Sequence, residues 1–165
     1  ANLPFIMMNA VRLLYILTLA LQLAECWTSS GMSNQELVNN LHRDKRFQDE
    51  RVHDALLKVD RAHFVEDTPY ADQPVPIGFG ATISAPHMHA TVLEALEPFA
   101  RPGAVVLDVG SGSGFLLAAL AHLVGPGGRV YGVEHIPALA QASMRALDRS
   151  LAGHPGLRGA VEVIV

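Results

Sequence analysis

The 165-residue sequence contains a single cysteine, Cys26, so an intrachain disulfide and a metal site closed by several thiolates are both excluded. Charged residues are also scarce, at 17% of the chain, and the net charge is -4. No basic run with interleaved aromatic residues occurs, so nucleic acid is not an expected partner. Half of the residues are hydrophobic, which is enough to form the core of one globular domain.

Near the N-terminus a hydrophobic run, residues 13–21, follows Arg12. This run is typical of the apolar segment of a signal peptide and is short for a membrane span, which needs about 20 apolar residues. We expect residues 1–26 to be a leader, either a signal or anchor segment or an unprocessed extension, rather than a core helix. Residues 27–165 are expected to act in the cytoplasm, or in the secretory pathway if the leader is a signal peptide. Membrane contact is expected only if the leader is retained.

The most informative stretch is residues 105–115, where an apolar run meets three glycines spaced two apart. Residues 105–109 are apolar on both alternating faces apart from Asp108, which predicts a parallel strand covered by helices on both sides. Gly110 then allows a tight turn, and Gly112 lets a ligand approach the backbone. The apolar run 115–124 predicts a helix whose N-terminus points at that ligand. A nucleotide-like cofactor is therefore the expected occupant.

The glycine spacing narrows the choice of cofactor. Dinucleotide-binding turns carry G-x-G-x-x-G, whereas here the third glycine comes one residue early and Phe115 occupies the last position. This favours S-adenosylmethionine, with a nucleotide-dependent oxidoreductase as an alternative. Residues 129–133 predict a second strand, and Glu134 at its end can accept hydrogen bonds from ribose hydroxyls. The simpler alternative is a structural turn with Glu134 as a surface cap.

Upstream of this strand the sequence predicts helices and a loop. Ser33 and Glu36 form a capping box for a short helix, and Asp49 is the expected N-cap of a second one. Prolines and glycines between residues 67 and 80 predict an ordered loop with neither a helix nor a central strand. A further helix is expected from Pro86, with Ser84 near its N-cap and a buried face formed by Met88, Val92, Ala95 and Leu96.

From residue 105 onward the order strand, helix, strand, helix, strand predicts right-handed crossovers and a parallel sheet, with the third strand at residues 161–165. The fold class is therefore α/β, a Rossmann-like doubly wound sheet preceded by a helical region. In such a sheet the strand that bears the glycine turn lies in the middle. We expect only the first half of the sheet to be present, with one edge of that strand unpaired and apolar.

Three motifs together resemble the protein-L-isoaspartate (D-aspartate) O-methyltransferases of the animal and plant type. They are residues 81–90 (Ala-Thr-Ile-Ser-Ala-Pro-His-Met-His-Ala), 107–114 (Leu-Asp-Val-Gly-Ser-Gly-Ser-Gly) and 132–135 (Gly-Val-Glu-His). The likeness runs from about Trp27 to Val165 and implies the class I S-adenosylmethionine methyltransferase fold. The Gly-Asp-Gly turn that the family carries after the third strand is not part of this sequence.

The resemblance also implies roles for individual residues. It places Ala81, Thr82, Ile83, Ser84 and His89 beside the cofactor, with Ser84 as the active-site hydroxyl, and assigns Gly110, Ser111, Gly112 and Glu134 to S-adenosylmethionine binding. Asp108 is expected to support the site, because a carboxylate in a buried strand requires hydrogen bonds from turn amides or the ammonium of the cofactor. No metal is expected, since His87 and His89 fall on different helix faces without a carboxylate or cysteine at ligand spacing.

The substrate implied by the resemblance is an isoaspartyl or D-aspartyl residue of a damaged protein, whose free α-carboxylate accepts the methyl group. With a reference pKa of roughly 3.3–3.7, that carboxylate is ionised at neutral pH and needs no general base. We expect Ser84 to donate a hydrogen bond to it, helped by backbone N–H groups and by the start of the helix near Pro86. The expected partners are isoaspartyl-containing proteins and peptides, bound by a monomer. The alternative function is a non-catalytic module that binds the isoaspartyl chain or the cofactor.

Overall fold

The structure is a computed structural model that describes residues 29–165. The predicted leader, residues 1–26, lies outside the described residues. Within the part that the structure describes, no helix combines the length and apolar character that a membrane span requires. This part begins with two helices, continues through a short hairpin and ends in a β-α-β-α-β unit.

The two N-terminal helices start where the capping residues predict. Helix α1 (Asn34–Arg43) follows Ser33, whose hydroxyl accepts a hydrogen bond from the Glu36 N–H, and helix α2 (Glu50–Lys58) follows Asp49, whose carboxylate accepts from two amides of the first turn. A 3-10 turn at Arg61–His63 comes next. Both helices bury one apolar face in the core, formed by Leu37, Val38, Leu41, Val52, Ala55 and Leu56.

A β-hairpin leads from this helical region to the site motif. Strand β1 (Val75–Gly78) pairs antiparallel with β2 (Ala81–Ile83), so the predicted loop at 67–80 contains a short edge strand. Pro76 is compatible with β1 because this strand has a neighbour on one side only, and proline, which has no N–H, is tolerated in such edge strands. The tight turn between the strands uses positive φ angles at Gly78, Phe79 and Gly80. The hairpin delivers the chain directly into helix α3 (Pro86–Leu96).

The face that α3 buries differs from the prediction. Pro86, Ala90 and Leu93 are buried, whereas Met88 and Val92 are 52% and 40% exposed. The helix is apolar around much of its circumference, so the sequence pattern does not determine which side packs inward. Its contacts with α1, α2 and the helix after β3 determine that orientation. The N-cap is Ala85 rather than Ser84, and its side chain makes no capping hydrogen bond.

The C-terminal part forms the predicted parallel sheet. Its strands pair in the order β3-β4-β5, with Val105 opposite Arg129 and Val130 opposite Val161. The two crossover helices connect strands that are adjacent in both the chain and the sheet, as the short links predict. The elements are β3 (Val105–Val109), α4 (Phe115–Val124), β4 (Arg129–Val133), α5 (Pro137–Ser150), α6 (Pro155–Arg158) and β5 (Val161–Ile164).

Helix α4 is the centre of the core. It packs against all three strands of the parallel sheet on one side and against α2 on the other. Its buried residues therefore occupy almost the whole circumference, which explains why the run has no amphipathic pattern. They are Phe115, Leu117, Ala118, Ala119, Leu120, Ala121, Leu123 and Val124.

Strand β3 is covered on one face only. Val105, Leu107 and Val109 are 70%, 60% and 75% exposed, and they alternate with the half-buried Val106 and Asp108 on the face toward α4. The expectation of helices on both faces is therefore wrong for residues 29–165. The expected unpaired, apolar edge is confirmed, because β4 is the only neighbour of β3 in the described sheet.

Gly132 in β4 has no space for a side chain. A Cβ built there would lie 2.5 Å from Leu117 Cδ1 and 2.9 Å from Ser111 Oγ, below the turn that follows β3. We expect Gly132→Ala to lower the free energy of unfolding by about 1–3 kcal/mol, measured by urea denaturation, because these packed groups must move. Gly153→Ala is the matched control, since nothing lies within 4 Å of its Cβ position. Equal losses in both variants would contradict the packing argument.

Candidate functional site

The turn after β3 requires glycine for geometric reasons alone. Gly110, Gly112 and Gly114 have φ angles of +84°, +49° and +83°, which L-residues with side chains rarely adopt. Gly114 is also the N-cap of α4 and faces α5, where an added Cβ would lie 3.1 Å from Ser143 Cβ. The turn therefore places backbone atoms that no side chain covers at the carboxyl end of β3, where ligands bind in open α/β sheets.

Glu134 fastens this turn to the end of β4. Its carboxylate accepts hydrogen bonds from the Gly112 N–H at 3.0 Å and from the Ile136 N–H at 2.9 Å, and the residue is buried. The amides of Gly110 and Ser111 both donate to the Val133 carbonyl. Glu134 is therefore no surface cap. His135 Nδ1 also lies 3.3 Å from Glu134 Oε1, and a role of Glu134 toward a ribose stays a prediction.

A cavity of about 170 Å³ lies between the glycine turn and the segment from β2 into α3. Ala81 and Glu134 do not line it: Ala81 pairs with Gly78 in the hairpin, and Glu134 contacts the turn from outside the cavity. Met88, Val92, Ser113 and Leu116 line it without having been predicted as site residues. Eight of the ten predicted residues line it: Thr82, Ile83, Ser84, His89, Asp108, Gly110, Ser111 and Gly112.

The hydroxyl group of Ser84 is available to this cavity. Ser84 precedes the N-cap of α3, and its side chain has no hydrogen-bond partner among residues 29–165. Its backbone carbonyl, in contrast, is held by Arg61 Nη2 at 2.8 Å. Ser84 thus has a fixed backbone and a free donor, and it is not a plain capping serine.

The cap of α3 comes from Asp72, in the loop before β1. Its buried carboxylate accepts hydrogen bonds from the His87 N–H at 2.9 Å and from His87 Nδ1 at 2.8 Å. Met88 N–H and His89 N–H donate to the Ala85 carbonyl. The amides of His87, Met88 and His89 therefore already have acceptors, so the proposed help from backbone N–H groups would have to come from other amides. A cap 15 positions upstream has no local sequence signature.

Arg61 is the largest fully buried side chain in the described part of the chain, at 1% exposure. Besides the Ser84 carbonyl, its guanidinium contacts His89 Nδ1 at 3.4 Å and lies over the Phe115 ring, with Cζ 5.6 Å from the centroid. Burial lowers the pKa of Arg61 to about 10 and the charge of Asp72 opposes this, so Arg61 stays cationic at neutral pH. Arg61 lies in sequence between the buried Val59 and Phe64, and this position could have predicted that its side chain is buried as well.

Two titratable side chains line the cavity in unusual states. Burial lowers the pKa of His89 to about 3, helped by the charges of Arg61 and His87, so its imidazole is neutral at pH 7. Burial raises the pKa of Asp108 above its ordinary value. Asp108 receives no hydrogen bond from the turn amides, contrary to expectation, because Val133 and Glu134 accept from them instead. Asp108 is therefore an acceptor without a protein partner in the described residues.

A second cavity, of about 520 Å³, lies on the other side of the glycine turn. It is bordered by the segment after the 3-10 turn, by β1 and by α5, and its lining includes Glu66, Ile77, Ser143 and Arg149. Both cavities share Gly112 and Ser113, so the turn forms a wall between them. No group of three or more His, Cys, Asp or Glu side chains suited to a metal ion occurs within residues 29–165.

Sequence comparison relates the chain to one family. Residues 32–164 match the family model described as protein-L-isoaspartate(D-aspartate) O-methyltransferase (PCMT). The protein-L-isoaspartate O-methyltransferase of Triticum aestivum is 47% identical over 133 residues, which cover 79% of this chain and 58% of the relative. That of Caenorhabditis elegans is 48% identical over 123 residues, covering 74% and 55%. The chain thus spans somewhat more than half the length of these relatives.

Structural comparison gives the same relation. The beta-aspartate methyltransferase (PCMT) of Plasmodium falciparum, solved with S-adenosyl-L-homocysteine, superposes with a TM-score of 0.75 at 34% identity, covering 81% of this chain and 63% of that one. A second protein-L-isoaspartate O-methyltransferase structure has a TM-score of 0.64 at 21% identity, covering 79% and 41%, and supports the fold alone. The predicted α/β fold class is confirmed.

Proposed function

Because the chain belongs to the protein-L-isoaspartate(D-aspartate) O-methyltransferase family, we propose that it takes part in S-adenosylmethionine-dependent methylation of damaged proteins. The acceptor is the free α-carboxylate of L-isoaspartyl and D-aspartyl residues, and its esterification begins their repair. The observation that carries this proposal is the cavity in which the unpartnered hydroxyl of Ser84 lies beside the glycine turn. The cavity and the glycine turn are both parts of the class I methyltransferase fold.

The residues of the cavity fit one end of S-adenosylmethionine. Gly110 and Gly112 expose the turn, and Asp108 offers an unpartnered carboxylate for an ammonium group. Glu134 lies outside the cavity and holds the turn through the Gly112 N–H, and we propose that it accepts from ribose hydroxyls. At about 170 Å³ the cavity is smaller than the roughly 300–1,000 Å³ of ordinary ligand pockets, so it holds only part of the cofactor. The bound cofactor supplies an electrophilic methyl group on a sulfonium sulfur.

The protein's own task in this reaction is to bind and orient the acceptor. The acceptor carboxylate is ionised at neutral pH, so no side chain has to remove a proton from it. Ser84 donates a hydrogen bond from its hydroxyl to one carboxylate oxygen and holds it toward the methyl donor. Orientation of this kind accounts for much of the rate gain in such reactions. The low pKa of His89, about 3, makes its imidazole a weak base, which agrees with a site that needs no general base.

The proposal is tested by methyl transfer from tritium-labelled S-adenosylmethionine to two peptides of the same sequence, one with an isoaspartyl residue and one with aspartate. The purified 165-residue chain is expected to label only the isoaspartyl peptide, as an ester that releases methanol at alkaline pH. Equal labelling of both peptides would contradict the proposed substrate. Binding of S-adenosylhomocysteine without labelling would contradict catalysis by this chain.

Glu134→Gln is expected to weaken S-adenosylhomocysteine binding about tenfold or more, measured by titration calorimetry. The amide nitrogen of glutamine would face one of two backbone N–H donors, those of Gly112 and Ile136, so the turn would lose a charged acceptor. Hydrogen bonds to charged groups contribute about 1.5–3 kcal/mol each. Glu162→Gln on β5 is the matched control, because Glu162 is exposed. Equal affinities of the Glu134→Gln variant and the unmodified chain would exclude Glu134 from the cofactor site.

A further inference from the structure

The two ring nitrogens of His89 have different surroundings. Nδ1 lies 3.4 Å from Arg61 Nη1, and because a guanidinium has only donors, Nδ1 must accept this hydrogen bond and carry no proton. Nε2 has no hydrogen-bond partner among residues 29–165 and is not sealed from solvent, and His89 lines the cavity beside Ser84. We infer that Arg61 is a positioning residue that holds neutral His89 as the Nε2–H tautomer, so that His89 presents a hydrogen-bond donor to the acceptor carboxylate.

The orientation of the His89 ring is fixed from two sides. Phe115 packs against it with ring centroids 4.7 Å apart, and Arg61 lies over the same phenyl ring. Arg61 is in turn anchored by its 2.8 Å hydrogen bond to the Ser84 carbonyl. Turning the imidazole by half a revolution would place a ring carbon against the guanidinium and remove the hydrogen bond at Nδ1. The contact with Arg61 therefore determines both the orientation and the tautomer.

A donor at His89 matters because the first amides of α3 are occupied: they donate to Asp72 and to the Ala85 carbonyl. On this side of the cavity the Ser84 hydroxyl and His89 Nε2–H lie side by side, whereas the Ser111 and Ser113 hydroxyls belong to the glycine turn. Ser84 and His89 together match the two oxygens of one carboxylate. This use in the reaction rests on the proposed function, whereas the tautomer itself does not. A cavity with two donors selects an ionised carboxylate over its amide, since an amide group offers only one acceptor oxygen.

His87 provides an internal reference two residues away. Its Nδ1 lies 2.8 Å from Asp72 Oδ1, and an ionised carboxylate only accepts hydrogen bonds, so this nitrogen carries the proton. His87 therefore carries a proton on Nδ1, the nitrogen that is unprotonated in His89. A spectrum that resolves both rings compares the two states in one sample.

The test is a long-range 1H–15N correlation spectrum of the uniformly 15N-labelled chain at neutral pH, without cofactor or substrate. His89 is expected to show a protonated Nε2 and an unprotonated Nδ1, and His87 a protonated Nδ1. Arg61→Met removes the donor while retaining an unbranched apolar stem. In this variant His89 should lose the single-tautomer pattern and show exchange between both forms, while His87 keeps its own. A protonated Nδ1 in His89 of the unmodified chain would overturn the inference, as would an unchanged His89 pattern in Arg61→Met.

Arg61→Met removes a positive charge near the buried Asp72, so a second variant guards against misfolding. Arg61→Met combined with Asp72→Asn removes both charges and keeps an oxygen that can accept from the His87 amide. The same loss of the His89 pattern is expected there. If neither variant folds, the spectrum of the unmodified chain decides. A chain that shows the expected pattern but transfers no methyl group would contradict the proposed function and leave the tautomer inference intact.

Discussion

Ser84→Ala is expected to lower kcat for methyl transfer to an isoaspartyl peptide by about 10- to 100-fold, while the Kd of S-adenosylhomocysteine changes by less than about twofold. The substitution removes one hydrogen bond to a charged acceptor, which contributes about 1.5–3 kcal/mol. The substitution removes no hydrogen bond from the folded chain itself, because the hydroxyl has no partner within residues 29–165. Arg61 binds the backbone carbonyl of Ser84, which the substitution keeps. Steady-state kinetics and calorimetry measure the two effects separately.

The control for this variant is Thr91→Ala, which removes a hydroxyl group within α3, seven residues after Ser84. Thr91 is exposed, and its hydroxyl donates only to the His87 carbonyl. Its kcat should stay within about twofold of that of the unmodified chain, since surface substitutions of this kind have small effects. A Ser84→Ala enzyme with unchanged kcat would remove Ser84 from the site. A matching loss of cofactor affinity would reassign Ser84 to cofactor binding.

Asp72→Ala is expected to reduce the free energy of unfolding by about 3–5 kcal/mol. Removing this carboxylate takes away the negative charge that offsets the buried guanidinium of Arg61 and leaves the His87 amide and Nδ1 without their acceptor. A buried charge left uncompensated together with two buried donors left unpaired has costs of this size. Urea denaturation followed by far-UV circular dichroism measures the change.

Asp67→Ala is the matched control for Asp72→Ala, because Asp67 is exposed in the same loop and has no hydrogen bond or ion pair in the described structure. It should alter the free energy of unfolding by less than about 0.5 kcal/mol. Asp72→Asn should give an intermediate loss, since asparagine retains an oxygen that can accept from the His87 amide. A loss below about 1 kcal/mol in Asp72→Ala would contradict the network of Asp72, His87 and Arg61.

The secondary structure of this chain was predictable wherever local signals specify it. Ser33 and Asp49 cap their helices as their side chains indicate, and the strand, turn and helix around Gly110 follow from apolar runs and glycine spacing. The buried face of α3 was not predictable, because Met88 and Val92 are as apolar as the residues that are buried. Packing against neighbouring helices decides between such faces, and that packing depends on residues distant in sequence.

The same distinction applies to the candidate site. Apart from Val92 and Leu116, the residues that line the small cavity come from two contiguous motifs, 81–90 and 107–114, and both were recognised. Arg61 and Asp72 were missed because they act through contacts with residues 23 and 15 positions away, respectively, at Ser84 and His87. A charged residue flanked by buried apolar positions indicates that such a partner exists, but not which residue it is.

The order of the strands has a consequence for how the protein forms during synthesis. Each strand of the parallel sheet pairs with its neighbour along the chain, but every pairing spans a crossover helix, as in Val105 with Arg129 and Val130 with Val161. Parallel pairing of this kind forms more slowly than local helical contacts. The N-terminal helices leave the ribosome earlier, yet α2 buries its apolar face against α4, and Arg51 donates to the Leu123 carbonyl across 72 residues. The apolar faces of these helices therefore stay exposed to solvent until α4 has emerged. Aggregation is most favoured during this interval of synthesis.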